Sequence, residues 1–115
     1  MKAQKTIDTA TQWLADDSND HWEVPRLIGY LKQALYRIFS ERPDLMLTDA
    51  GLVDATTVIE NITDENSDIP DSLNEAHISP LSHLICYFAY TEDADSTANI
   101  ELMKMHLSLY EKAIY

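Results

Sequence analysis

The stretch DENSDIPDSLNE, residues 64–75, places five carboxylates in twelve positions. Asp64, Asn66 and Asp68 fall at positions one, three and five of an EF-hand loop, and Glu75 falls at twelve, where such a loop puts its bidentate ligand. Position six of that loop needs glycine for a sharp turn, but here it is Ile69, followed by Pro70. A β-branched residue resists the left-handed turn that glycine makes without cost. Position eight, apolar in such loops, is Asp71, and the preceding TTVIENIT favours strand over the helix an EF-hand requires. The segment is therefore expected to be a solvated acidic loop, and no metal or other cofactor is called for.

Other reactive residues are equally uncommitted. His77 and His83 are six apart and fall on different faces of any helix, no HExxH occurs, and Cys86 is the only cysteine. Cys86 lies in the apolar run LICYFAY, which predicts a buried thiol. Ser79, Ser82 and His83 are close in sequence, but nothing resembling a nucleophile elbow surrounds them. His106 sits between two apolar stripes, the pattern of a packed and hydrogen-bonded histidine in a core or an interface. The expectation is a protein that is not an enzyme.

Twenty acidic residues against eight basic ones give 115 residues a net charge of −12. A chain so acidic repels phosphate backbones, so free or sequence-specific nucleic acid is an unsuitable ligand and a basic partner surface a suitable one. The length suits one domain, residues 1–115, with a real core. The longest apolar run, 84–90, is too short to span a bilayer, and the N-terminus lacks a signal-peptide core. No membrane role is expected, and the default compartment is cytoplasmic.

Hydrophobic spacing predicts four helices. The first covers residues 3–16, with Ala3, Ile7, Ala10 and Leu14 on one stripe, and DDSND ends it. The second starts near Pro25, buries Leu27, Leu31, Ala34, Leu35 and Ile38, and stops at Pro43, which pushes Arg42 out of helical geometry. The third opens at Ser79-Pro80 and is apolar nearly all round, so it should be central or covered by a partner. The fourth, capped by Asp95 or Ser96, carries two stripes. Ile100, Met103, Leu107, Tyr110 and Ile114 form one; Leu102, Met105, Leu109 and Ala113 form the other. Together they span about 200° of the helix, more than a small bundle needs, so the surplus predicts deep burial or a subunit contact. Between the second and third helices, residues 44–78 show no helical period, and the turn signal at Asp49-Ala50-Gly51 predicts a short β-hairpin. The expected fold is thus all-α: a small four-helix bundle with a long non-helical arm.

The second helix has one unusual face. Arg26, Lys32, Arg37 and Arg42 lie on or beside it, half of all the basic residues within seventeen positions. Such a face is either solvated or meets an acidic neighbour.

WEVPRLIGYLKQALYRIFSERPDL, residues 22–45, resembles the opening of the small head-to-tail adaptor proteins of tailed bacteriophages. Trp22, Leu27, Tyr30, Leu31, Ala34, Arg42, Pro43 and Asp44 occupy that family's pattern of a tryptophan, an LxxYLxxA helix and arginine-proline-aspartate. Ile69-Pro70, the tyrosine-rich LICYFAYTEDAD, and His106 followed by Tyr110 match further points downstream. The likeness covers most of residues 22–113 as scattered positions. Tyr90, Thr91 and Glu92 stand where the family commonly has basic residues, and Met103 and Met105 where it has alanines.

The resemblance implies a structural virion protein at the head-tail junction, made in the bacterial host cytoplasm. Such adaptors form a ring, usually twelve-fold, beneath the portal protein, and meet tail-tube or nozzle proteins and neighbouring copies of themselves. Ring subunits need two different complementary surfaces. The candidates are Arg26, Lys32, Arg37 and Arg42 on the second helix, Asp64, Asp68 and Asp71 on the acidic segment, and Met105, His106, Leu109 and Tyr115 on the last helix. The alternative is an acidic inhibitor, an immunity protein or a DNA mimic, that binds a basic partner.

Overall fold

In a computed structural model, residues 1–16, 21–48, 51–52, 54–70, 72–93 and 97–114 are described. The first helix, α1 (Ala3–Trp13), is shorter than the expected 3–16 because the chain closes it with a Schellman turn. The Asp16 N–H donates to the Thr11 carbonyl (3.2 Å) and the Ala15 N–H to the Gln12 carbonyl (3.1 Å). Ala15 therefore takes the left-handed position, φ +55°, that glycine usually fills. Asp16 then folds the chain back: its carboxylate accepts from the backbone N–H groups of His21 (3.2 Å) and Trp22 (2.8 Å).

Helix α2 (Val24–Glu41) has Pro25 in its first turn and ends where expected, with Arg42 out of helical geometry ahead of Pro43. Leu27, Ile28, Tyr30, Leu31, Ala34, Leu35, Ile38 and Phe39 are buried. A 3-10 turn over Pro43–Met46 leads into the predicted hairpin, β1 (Leu47–Thr48) and β2 (Gly51–Leu52), antiparallel with Leu47 opposite Leu52. The turn residues 49–50 lie outside the described residues.

The rest of the arm differs from expectation. Residues 55–60, expected as strand, form a helix, α3 (Ala55–Glu60), so the chain has five α-helices among the described residues and the 44–78 excursion is not non-helical. Asp54 caps it by accepting from the Thr57 hydroxyl (2.8 Å) and N–H (3.3 Å), while Ala55 and Ile59, one turn apart, are buried. Local capping plus apolar burial outweigh the β preference of Thr57, Val58 and Ile59. The arm also packs back on the body, since Ile62, Ile69 and Leu73 join the same core as the helices.

Helix α4 (Ile78–Glu92) starts one residue before the expected Ser79, as the continuation of a 3-10 turn over Glu75–His77. Asn74 caps that turn: its side chain accepts from the Ala76 N–H (2.9 Å), and its own N–H donates to His77 Nδ1 (3.0 Å). Pro80 remains within the first turn of α4, where its missing N–H breaks nothing. As its apolar circumference predicts, α4 is central and packs on α1, α2 and α5 (Thr97–Ile114). The proposed caps of α5, Asp95 and Ser96, lie outside the described residues. Small side chains let α1 and α4 approach closely: Ser82 Oγ donates to the Thr6 carbonyl (3.3 Å), and Cys86 Sγ contacts that of Ala10 (3.8 Å). Burial pushes the Cys86 thiol up to about 12, so it stays a protonated packing group.

Candidate functional site

The acidic stretch 64–75 has a structural use. Helix α1 has no side-chain cap, and its first N–H groups are met by this loop: Ala3 donates to the Ser67 carbonyl and Gln4 to the Glu65 carbonyl, both at 2.8 Å. Ile69 N–H donates to the Met1 carbonyl (2.9 Å), and Asp68 pairs with Lys2 at 3.0 Å. Glu75 pairs with Lys5 at 2.7 Å, which holds its carboxyl below its ordinary range. Negative groups thus gather at the positive end of a helix. Asp64 turns inward on its own loop, accepting from the Asn66 N–H (2.9 Å) and the Ser67 hydroxyl (3.3 Å). Ile69, where a calcium loop needs glycine, is fully buried. Among the described residues, no group of three or more His, Cys, Asp or Glu side chains is arranged to hold a metal. Asp71 and Tyr115 lie outside the described residues.

The basic face of α2 is occupied from within the chain. Arg26 donates to Glu92 (3.0 Å from Nη2) and lies 3.8 Å from Asp93. Arg37 donates to Glu41 (2.7 Å), one turn on, and its guanidinium lies over the rings of Tyr87 and Tyr110. Arg42 clamps Asp44 with two nitrogens and donates to the Ile114 carbonyl. These charges lock α2 to α4 and α5. Lys32 is half-buried. Among the described residues, Lys2 and Lys5 of the α1 end take Asp68 and Glu75 of the acidic segment, while Arg26 takes Glu92 of α4, and Arg37 and Arg42 take Glu41 and Asp44.

At the C-terminal end of α4, Glu92 also accepts from the Tyr30 hydroxyl (2.5 Å), and His21 Nε2 lies 2.5 Å from Asp93. Burial, then the Glu92 hydrogen bond, pushes the Tyr30 phenol up to about 12, so it stays a donor. The hydrogen bonds from Tyr30 and Arg26 hold Glu92 below its ordinary range.

The other end of α4 is open. Trp13, His83, Leu102, Met105, His106 and Leu109 line a cavity of about 410 Å³ between the end of α1, the start of α4 and the middle of α5. His106 is buried, as its place between two stripes predicted, and its Nδ1 lies 2.9 Å from Nδ1 of His83. One ring must donate and the other accept, so at most one of these two nitrogens carries the proton. Burial, then the charge of His83, lowers His106 to about 4, and burial lowers His83 as well. Both rings are neutral at pH 7. The Trp13 indole stacks on His83 (4.4 Å, 25°) and Tyr90 on His106 (5.9 Å, 15°). The spacing rule left Trp13 off the α1 stripe, and nothing in the sequence linked His83 to a partner 23 residues away; an unexplained tryptophan beside the stripe was the one available signal.

The surplus arc of α5 is left uncovered. Tyr110 and Ile114 are buried and Met103 and Leu107 half-buried, whereas Met105 (45% exposed) and Leu109 (37%) face outward at the cavity mouth. The Leu47–Leu52 pair of the hairpin is more exposed still, at 64% and 77%. Among the described residues, no helix is long and apolar enough to cross a membrane. A scan against protein-family models finds no match, and searches of curated proteins and of solved structures find none either.

Proposed function

We propose that this chain is a structural subunit, a head-to-tail adaptor that assembles as a ring beneath a phage portal and joins the head to the tail. The observation that carries this reading is a pair of unlike apolar surfaces left uncovered: the Leu47–Leu52 pair of the hairpin and the Met105–Leu109 face of α5. A closed ring is built from heterologous contacts, each needing two different patches on every copy. The resemblance of residues 22–45 to the adaptors supports the same role. Incubating the protein with portal rings of the phage that encodes it and imaging the particles is the test. A collar of added density is expected; bare portals, together with absence of the protein from virions, would sink the proposal.

An acidic inhibitor is the second reading, favoured by a separate observation. Lys2, Lys5, Arg26, Arg37 and Arg42, five of the eight basic residues, are ion-paired within the chain, so the surface displays mainly uncompensated carboxylates. Such a protein binds a basic partner one-to-one, and its affinity falls steeply with salt. It has no use for an exposed leucine pair, which places this reading second.

A further inference from the structure

We propose that the Leu47–Leu52 pair on the hairpin of one copy seats in the Trp13–His83–His106 cavity of a second copy. Leu47 and Leu52 are directly opposite in register, so both side chains project from one face of the hairpin as a single apolar knob. The knob has a defined shape: the Thr48 hydroxyl donates to the Gly51 carbonyl (2.8 Å), and Gly51 takes φ +111°, which side-chain-bearing residues rarely adopt. Neither leucine lines the cavity of its own chain, and both remain exposed. One molecule thus carries a knob and a hole without joining them. The cavity, about 410 Å³, lies at the small end of the roughly 300–1,000 Å³ in which proteins seat ligand-sized groups. Its floor is aromatic and its histidines are neutral, which suits aliphatic side chains.

Charge and area say how such a contact behaves. At −12, two copies repel at a distance, so an apolar contact is what can hold them together. The rim charges are opposite in sign: exposed Lys112 follows Leu109 by one turn, and exposed Asp54 stands two residues after Leu52. Two leucines cover far less than the roughly 800 Å² per partner of a stable complex. A single contact is therefore weak and the dilute protein monomeric; repetition around a ring supplies what one contact lacks. For that repetition the inference rests on the adaptor reading.

Disulfide trapping tests it, because oxidation accumulates even a weak contact. L52C and L109C are made separately and as a double variant; both sites are exposed, and the buried native Cys86 does not compete. Mixed single variants are expected to give the L52C–L109C cross-link in about tenfold excess over either homodimer, the ratio a modest preference produces. Added salt, by screening the repulsion, should raise the yield, and the double variant should form a ladder of oligomers. Predominant L109C homodimers would mean that α5 faces pack symmetrically, predominant L52C homodimers that hairpins meet hairpins, and no dimers that the cavity takes a different partner; each overturns the proposal. Portal rings separate it from the adaptor reading. Decorated portals without the 52–109 cross-link keep the adaptor and sink this contact, whereas a ladder with bare portals keeps the contact and sinks the adaptor.

Discussion

Helix α4 holds a cluster of polar and aromatic side chains near each end, and the two are closed by different means. At its C-terminal end Glu92 takes hydrogen bonds from Tyr30 and Arg26 while Asp93 meets His21, so charges from α2 and from the segment before it staple that end. Near its N-terminal end His83 and His106 share one proton, Trp13 stacks above them, and a cavity remains. At the stapled end Glu92 and Asp93 are met from within the chain. The open end is neutral and apolar, and it keeps unspent the surface that binding uses. In a chain of charge −12, the functional candidate is the place where charge is absent.

The largest expected effect is common to both ends. Leu84 is fully buried between them, and Leu84→Ala should cost about 3 kcal/mol in chemical denaturation, from lost transfer energy plus a cavity. Acid should then separate the ends. His106 sits at about 4 when folded against 6.5 unfolded, so the unfolded chain binds the extra proton and stability falls as pH drops from 6.5 towards 4. A loss of ~2 kcal/mol, allowing for the open rim, should shrink in His106→Phe to the part that His83 contributes. The Glu92 end has its carboxyl lowered from 4.5, so its contribution persists above 4.5 and fades only below it. Ring titrations by NMR that showed both ends failing together would erase the distinction.

Smaller effects sharpen it. Tyr30→Phe removes one hydrogen bond to a half-exposed carboxylate that keeps Arg26, and should cost about 1 kcal/mol. Ala15→Gly relieves a left-handed alanine just after Trp13 and should raise the thermal midpoint, a gain of about 0.5–1 kcal/mol. Leu109→Ser, at the cavity mouth, should leave the denaturation midpoint within about 0.5 kcal/mol of the parent while abolishing the self-contact. A large stability loss from this substitution would mean the face belongs to the core.

Legibility followed the range of the interaction. The end of α2 at Arg42-Pro43, the hairpin at 47–52, the burial of Cys86 and the central place of α4 were all readable, because each depends on a residue and its neighbours within a turn or two. The α3 helix was not, because Thr57, Val58 and Ile59 prefer strand and only a buried face for Ala55 and Ile59 reverses that preference. The fourth expected helix showed two stripes with no sign of which would be covered; packing chose Tyr110 and Ile114 and left Met105 and Leu109 outside.

Periodicity and composition, which act locally or as sums, set the four longer helices, the end of α2, the apolar stripes and the acidic balance. Tertiary structure alone decided that the near-calcium loop caps α1, that Arg26 is taken by Glu92, and that His83 meets His106. Those pairings join elements distant in the chain or choose among many equivalent carboxylates, and the order of residues does not encode which of them the packed helices bring within reach.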